Sequence, residues 1–296
     1  MIENALLFLE AIGFLLDKEQ LPADWDSAEW QAQEPDFRSK AFFSAKVENA
    51  RFLDRAQAAL FDDMAKVRET ITLPDGTTTT ALRTSGRAHF VQQMQDFMIA
   101  EGITTEEEYR DVNPNNIRDI RSSARLRLIF DTNTRQAFGF GQWKQGMKPS
   151  ILKAFPAARL IRVRGVSEPR PRHQEALGEV MLKTDPRWAE YHNAKDIGGF
   201  GVPWGPYGFR SGVSQETVSR SEARKLGLDV SKVSPNDEAR ITDETSASVA
   251  KMSPDVKTKL IAELRAGQKN LDAGAIGRGE TVAKIVDDGD RVSLVR

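Results

Sequence analysis

Side chains able to do chemistry are concentrated in one short stretch, SEPRPRHQEALGEVMLKTDPRW (167–188). It contains Arg170, Arg172, Asp185 and His173, one of three histidines in the chain. Histidine is the side chain best suited to moving protons near neutral pH. Arginine binds phosphate or carboxylate oxygens well, because its N–H groups form a planar fork. The stretch could therefore be an active site, a nucleic-acid clamp or a structural signature.

A catalytic or metal-binding role for His173 has little support in the spacing of its neighbours. Glu168 and Glu175 are the nearest carboxylates, and neither lies at a diagnostic distance in sequence. His89 and His192 form no HExxH or HxH pattern with it. The chain also lacks a P-loop, a GxSxG elbow and any cysteine, which excludes a thiolate nucleophile and a zinc site built on cysteine. We predict a histidine bonded to backbone beside a proline turn, and no catalytic residue, metal or other cofactor.

A run of arginines is a candidate contact for DNA or for a protein partner. Its members are Arg159, Arg162, Arg164, Arg170 and Arg172, with Glu168 as the one acid among them. The whole chain carries a formal net charge of -1, so attraction to DNA would depend on this local patch. No base-reading motif is present, so binding would be directed at phosphates and sensitive to salt. The alternative is that these arginines pair with acids elsewhere in the chain.

The composition is that of a soluble protein, with 40% hydrophobic and 29% charged residues. The length of 296 residues allows two domains, or one domain with arms. The first apolar stretch, 5–16, is interrupted by Glu10 and Gly13 and has no basic residue before it. We therefore expect a helix there, buried in the core or docked on a partner, and neither a membrane span nor a signal peptide.

Periodicity and turn signals predict the elements that must position these side chains. The predicted helices are 5–16, 36–68 (one helix or a pair), 85–102 ending at Gly102, 117–146 capped by Asn116, 173–182, 214–227 ending at Gly227, and 253–267. The predicted strands are a hairpin near 70–82 around Pro74, a strand over 159–166, and two short strands around the final DDGD turn. The prolines at 169 and 171 predict an extended, non-helical segment between them.

These elements predict an α+β fold. We expect a mainly helical N-terminal part with a projecting hairpin, then a small mixed α/β domain and an extended C-terminal arm. The predicted bounds are 1–117 for the helical domain, 118–228 for the mixed core domain, and 229–296 for the polar arm, which has one helix and a small terminal hairpin.

The ordered motifs resemble those of the phage Mu F-type head morphogenesis family, the minor head proteins of tailed phages. The stretches RLRLIFDTNTRQAFGFGQW, RLIRVRGVSEPRPRHQEALGEV and TDPRW, followed by a Gly-rich loop, occur in the family's order. The residues that match are Thr132, Asn133, Arg135, Ala137, Gly141, Arg170, His173, Gly178, Asp185, Pro186 and Trp188. The resemblance covers roughly residues 20 to 228. Many relatives carry Cys-x-Cys after the loop, whereas this chain has GFGVPWGPYGFRSG there, so aromatic packing would have to hold the loop.

The resemblance implies a minor capsid protein rather than an enzyme. Such a protein lies inside the head at the portal vertex and assists capsid assembly and genome packaging or delivery. Its expected partners are the portal protein, the major capsid protein and packaged double-stranded DNA, with no membrane contact. The expected location is the virion, and the host cytoplasm during assembly. Two alternatives stay open: a DNA-binding accessory protein, or a toxin-like enzyme of the ADP-ribosyltransferase or nuclease type.

On this interpretation the stretch 167–188 is a structural signature that fixes a strand-turn-helix junction. Its arginines would then contact DNA or portal carboxylates. Replacing Arg170 and Arg172 together by alanine is expected to weaken that association and to leave folding intact.

Overall fold

The structure, a computed structural model, describes residues 10–65, 68–72, 78–82, 86–233, 245–248, 257–258, 261–262, 265, 284–289 and 291–295. The helices are α1 (10–16), α2 (Ser27–Ala32), α3 (Pro35–Lys40), α4 (Ala50–Ala65), α5 (Gly86–Ala100), α6 (Glu106–Arg110), α7 (Ser123–Gly146), α8 (Pro149–Ala154), α9 (Pro171–Glu175) and α10 (Arg220–Lys225). Shorter helical turns are a π-helix over Trp188–His192 and 3-10 helices over Lys195–Ile197 and Val230–Lys232. The strands are β1 (Glu19–Gln20), β2 (Ala41–Phe42), β3 (Arg68–Thr72), β4 (Thr78–Leu82), β5 (Ala157–Arg162), β6 (Val180–Leu182), β7 (Val213–Val218), β8 (Thr245–Ser248), β9 (Lys284–Asp287) and β10 (Arg291–Val295). The fold is α+β with a helical N-terminal part, as predicted.

The main hydrophobic core lies between α1, α4, α5 and α7. Side chains at three- and four-residue spacing on these helices meet there, among them the fully buried Ile12, Leu60, Phe90 and Leu126. Helix α7 thus shares its core with the elements before residue 117. The domain bounds 1–117, 118–228 and 229–296 stay a prediction.

The segment 36–68 contains two helices separated by an extended piece. Residues Ala41–Phe42 follow α3 and pair in parallel with β1, with Glu19 opposite Ala41. Of the two alternatives predicted for 36–68, the pair of helices is present, but the prediction of helix at Ala41 and Phe42 is wrong. Strand β2 also places Ala41 and Phe42 against the core, so the apolar pattern fits a strand as well as a helix at this point.

Helix α7 begins later than predicted, at Ser123. The hydroxyl oxygen of Ser122 accepts from the Arg125 N–H at 3.1 Å, which makes Ser122 the N-cap, and the same hydroxyl donates to the Asn116 carbonyl at 2.5 Å. The side chain of Asn116 instead accepts from the Arg118 N–H in a turn. The prediction of Asn116 as the cap is wrong because both residues are good cap types, and only the packed segment before α7 selects one.

Strands β6, β5 and β7 form an antiparallel sheet, in that order. The helix predicted to start at residue 214 is wrong over Val213–Val218. These residues pair with β5 along its whole length, from Ala157 opposite Val218 to Arg162 opposite Val213. The helix follows as α10, capped by Ser219 and ended by Gly227 at φ +81°.

Two further predictions need correction in this region. Pro171 was expected to exclude a helix, but it is the first residue of α9, where a missing N–H costs nothing. The helix predicted over 173–182 ends at Glu175, and its second half turns into β6. The strand predicted to reach residue 166 ends at Arg162.

The predicted hairpin near 70–82 is present as β3 paired antiparallel with β4; its turn at Pro74 lies outside the described residues. The C-terminal strands form a sheet in the order β8-β10-β9, one strand more than the predicted hairpin. Val292 of β10 is fully buried in the N-terminal core. The predicted helix 253–267 is described only at 257–258, 261–262 and 265, which are helical. Within the described part of the chain, no helix is long and apolar enough to cross a membrane.

Candidate functional site

The signature stretch forms a tight junction between β5, α9 and β6. Gly178, at φ +87°, makes the turn from α9 into β6 and donates its N–H to the Leu160 carbonyl at 2.9 Å. A left-handed backbone favours glycine, which explains why this position of the motif is a glycine. The junction places His173 inside the protein and Arg170 directly before α9.

His173 is fully buried and bonded to backbone. Its Nε2 lies 2.7 Å from the His192 carbonyl oxygen, and since a carbonyl only accepts, Nε2 carries the hydrogen. Burial lowers the pKa of His173. The hydrogen bond to the His192 carbonyl opposes this change, and the positive charges of Arg170 and Arg162 add to it. The hydrogen bond to backbone predicted for His173 is present. Because the imidazole ring is fully buried, a substrate cannot reach it in this structure.

His192 is also fully buried and faces a carboxylate network. Its Nε2 lies 3.3 Å from a Glu179 oxygen, at ion-pair distance but without hydrogen-bond geometry. Arg187 bridges Glu179 and Asp185, each at 2.9 Å. Burial lowers the pKa of His192, a change that the Glu179 charge opposes. Burial raises the pKa of Asp185, but hydrogen bonds from the Arg187 side chain and backbone outweigh it and bring the pKa below its usual range.

Two large aromatic residues fill the space under the junction. Trp188 and Tyr207 are both fully buried, with ring centroids 6.1 Å apart. The Trp188 indole N–H donates to the Leu182 carbonyl at 2.9 Å, so its one polar atom is satisfied. His173 meets Tyr207 edge-on at 6.3 Å. These contacts are those of a packed core rather than of an open cleft.

Arg170 holds the Gly-rich loop (196–212) to the junction. Its Nε donates to the Ile197 carbonyl at 2.6 Å and its Nη2 to the Phe209 carbonyl at 3.0 Å. A Cβ on Gly208 would come within 2.9 Å of the same Nη2. This loop lacks the Cys-x-Cys of the resemblance and is held by the Arg170 guanidinium instead. Aromatic packing also holds it, as expected, for example between Phe200 and Phe209, whose ring centroids are 5.0 Å apart.

Helix α7 supports the loop from the other side. A Cβ on Gly139 would lie 1.8 Å from the Gly205 carbonyl oxygen, so the helix and loop backbones touch there. Asn133 is buried and donates to the Ile129 carbonyl of its own helix at 2.9 Å. The motif residues of α7 have partners within the same helix, since Asn133 bonds to the Ile129 carbonyl and Arg135 pairs with Asp131 at 3.6 Å.

Four of the five arginines predicted for DNA or portal contact have internal partners. Arg159 pairs with Glu216 at 3.1 Å and Glu222 at 2.5 Å. Arg172 pairs with Asp196 at 2.6 Å. Arg162 reaches the Gln174 side chain at 3.2 Å, and Arg170 donates to the two carbonyls of the loop. Replacing Arg170 and Arg172 together is therefore expected to disturb folding, contrary to the expectation drawn from the sequence.

Arg164 differs from the other four. It is exposed, and among the described residues its side chain makes no ion pair or hydrogen bond. It lines a cavity of about 300 Å³ together with Arg135, Arg210 and Asp131. Asp131 also pairs with Arg87 at 2.9 Å. This arginine group (Arg87, Arg135, Arg164, Arg210) was not predicted as a unit, because its members are spread over more than a hundred residues.

A second cavity, of about 330 Å³, lies between α3, α7 and the Gly-rich loop. Arg38 and Lys18 line it, and both are almost completely buried. No motif pointed to these two residues, because a lone cation near a helix end is ordinary in a sequence.

Among the described residues, no three His, Cys, Asp or Glu side chains are grouped so that they could hold a metal ion. Compared with protein-family models, with curated proteins and with solved structures, the chain has no match.

Proposed function

We propose that this protein is a minor head protein of a tailed phage, placed inside the capsid at the portal vertex, where it assists head assembly and genome packaging or delivery. The observation that carries the proposal is the convergence of the resembling motif on one packed junction. Arg170, His173, Gly178, Asp185 and Trp188 differ widely in chemistry, yet all five bond to backbone or side chains of the junction and of the segments that follow it. A motif kept together by architecture suits a structural component.

The same geometry argues against the enzymatic alternative at this position. The ring of His173 has no exposed surface, and its Nε2–H is committed to a carbonyl. A general base must reach the proton that it removes. An ADP-ribosyltransferase or nuclease would have to use other residues, or open the junction.

A DNA-binding role is the second candidate, and the arginine group favours it. Arg164 and Arg210 are exposed and unpaired among the described residues, and Arg87 and Arg135 share the single carboxylate of Asp131. Such a surface has an excess of positive charge that suits phosphates. Portal carboxylates would satisfy the same cations.

The proposal is tested by quantitative mass spectrometry of purified, nuclease-treated phage particles, scaled to the major capsid protein. We expect a few copies per particle, and a fall in that number when the portal is removed. Complete absence from mature particles would overturn a resident minor head protein and favour a separately acting enzyme or assembly factor.

The DNA role is tested with Arg164→Ala combined with Arg210→Ala. For each phosphate that the double variant no longer neutralises, the plot of log affinity against log salt should become less steep by about 0.9. The matched control is Arg110→Ala combined with Arg118→Ala, which removes two exposed arginines outside the group. Equal salt slopes for the two double variants would exclude the arginine group as the DNA-binding surface.

A further inference from the structure

The cavity between α3, α7 and the Gly-rich loop has walls of two kinds. Most of its lining is aromatic or aliphatic, and six rings face it. These are Phe14, Trp30, Phe43, Phe200, Trp204 and Phe209. Its volume of about 330 Å³ is within the range of sites that hold small organic molecules.

The charged part of the lining is all of one sign. Lys18, Arg38, Arg125 and Arg210 reach the cavity, and no Asp or Glu does so among the described residues. An apolar enclosure strengthens the field of each cation, because little solvent is present to screen it. The cavity is therefore suited to a negative charge.

Arg38 has buried donors that the described residues do not use. It is 5% exposed, and its Nη2 donates to the Phe200 carbonyl at 3.0 Å. Its Nε and Nη1 are buried without a hydrogen-bond partner among the described residues. The negative charge of Glu34 acts on Arg38 and raises its pKa, against the lowering by burial. Glu34 is itself exposed and lies 3.8 Å from Lys195. A buried guanidinium with two unused donors is costly to keep in the folded protein unless a ligand completes it.

The other cations of the cavity are partly engaged. Lys18 donates to the Gln136 side chain at 3.0 Å and lies 4.8 Å from the Phe14 ring centre. Burial lowers its pKa to about 7, so a bound anion would also favour its charged form. Arg125 donates to the Ser44 hydroxyl and to the backbone beside it, each at 2.8 Å. The ligand's charge is thus expected at Arg38, with Lys18 as its support.

We propose that this cavity binds a small organic anion, a carboxylate or phosphate carried on an aromatic body. The anionic group accepts a charge-assisted hydrogen bond from the guanidinium donors that Arg38 leaves unused within the protein. The aromatic body packs against rings that line the cavity, among them Phe43 and Trp204. The inference is independent of the virion role and would hold for a protein of any function with this site.

The test uses the full chain and four probes: 1-naphthoate, 1-naphthyl phosphate, the neutral 1-naphthalenemethanol, and inorganic phosphate. Binding is measured by calorimetry and by quenching of tryptophan fluorescence. We expect one of the two aromatic anions to bind at least about tenfold more tightly than the neutral alcohol and than inorganic phosphate, since a buried charge-assisted hydrogen bond is worth that factor or more. The tighter of the two anions identifies the head group.

Arg38→Met should weaken binding of the aromatic anion to the level of the neutral alcohol, because it removes the donors and keeps most of the side-chain volume. Arg51→Met, an exposed arginine outside the cavity, is the matched control and should leave binding unchanged. If Arg38→Met does not fold, Thr132→Leu narrows the cavity from α7 without changing Arg38, and should weaken all three aromatic probes.

Three results would overturn the proposal. Inorganic phosphate binding as tightly as the aromatic anions would remove the role of the aromatic walls. The neutral alcohol binding as tightly as they do would remove the role of Arg38. Unchanged affinity in both Arg38→Met and Thr132→Leu would place binding elsewhere on the protein.

Discussion

Arg170 and Arg172 stand two residues apart in sequence, and the structure predicts very different consequences for their replacement. Arg170 is partly buried and donates to two backbone carbonyls, of Ile197 and Phe209, at 2.6 and 3.0 Å. Arg172 pairs with Asp196, whose side chain is 62% exposed, and donates to one backbone carbonyl, that of Tyr191, at 3.1 Å. The change to make in each case is Arg→Met, which retains the apolar stem and removes the donors.

The magnitude for Arg170→Met follows from the two bonds. A hydrogen bond to a charged group contributes about 1.5–3 kcal/mol, and partial exposure puts both bonds at the low end, which gives about 3 kcal/mol. Arg172 loses one exposed bond to a carbonyl and a salt bridge worth no more than about 1 kcal/mol, because Asp196 is well solvated. We therefore expect Arg172→Met to cost about 1–2 kcal/mol, less than Arg170→Met. Both carbonyls to which Arg170 donates belong to the Gly-rich loop. We therefore expect this loop to lose its fixed conformation before the rest of the protein in Arg170→Met.

The assay is urea unfolding of the two variants and the parent, followed by limited proteolysis of the Gly-rich loop. We expect Arg170→Met to be the less stable variant and to be cut faster in the loop, and Arg172→Met to lie between it and the parent in both measurements. Equal and small decreases in stability in both variants would refute the interpretation of the motif arginine as a structural tie. Contact with DNA or portal would then be the better explanation for Arg170.

Two other predictions concern the contact between α7 and the Gly-rich loop, and the two buried histidines. Gly139→Ala should destabilise the protein by about 1–3 kcal/mol in urea unfolding, because the added Cβ meets the Gly205 carbonyl, whereas Gly165→Ala, with open space around it, should change little. The second concerns pH: burial lowers the pKa of His173 and His192 below the usual 6.5. Their neutral forms therefore contribute stability that is complete above about pH 6.5 and is lost as the pH falls from there to the folded-state pKa values. The free energy of unfolding of the parent should therefore decrease between about pH 7.5 and pH 5. Replacing both histidines by glutamine should make this decrease smaller. A free energy of unfolding that does not change with pH in the parent would contradict the prediction.

Local sequence determined the elements whose signals are strong and short-ranged. The three- and four-residue apolar spacing of α5 predicted a helix, and Gly102, at φ +67°, stops it as expected. The Thr-rich arms on either side of the predicted turn form β3 and β4. The bonding of His173 to backbone was also predictable, since the flanking prolines and the lack of partner spacing left few other roles.

Tertiary structure decided the elements whose local signals are ambiguous. The segment Val213–Val218 contains residues that can cap a helix, yet β5 offers it a full row of backbone partners, and pairing wins because its two valines are buried by it. Ser122 rather than Asn116 starts α7 for a similar reason: both can cap, and only the packed turn before the helix chooses.

Neither cluster of cations could be found from the sequence alone. Arg38, Lys18 and Arg125 lie on separate helices and turns, and Arg164 and Arg87 are similarly remote from each other. Periodicity reports which face of one element is apolar; it does not report which faces of different elements meet. The sequence by itself therefore determined the α+β class and the motif. The fold alone decided that the motif is a buried junction, and that cations remote in sequence gather around two neighbouring cavities.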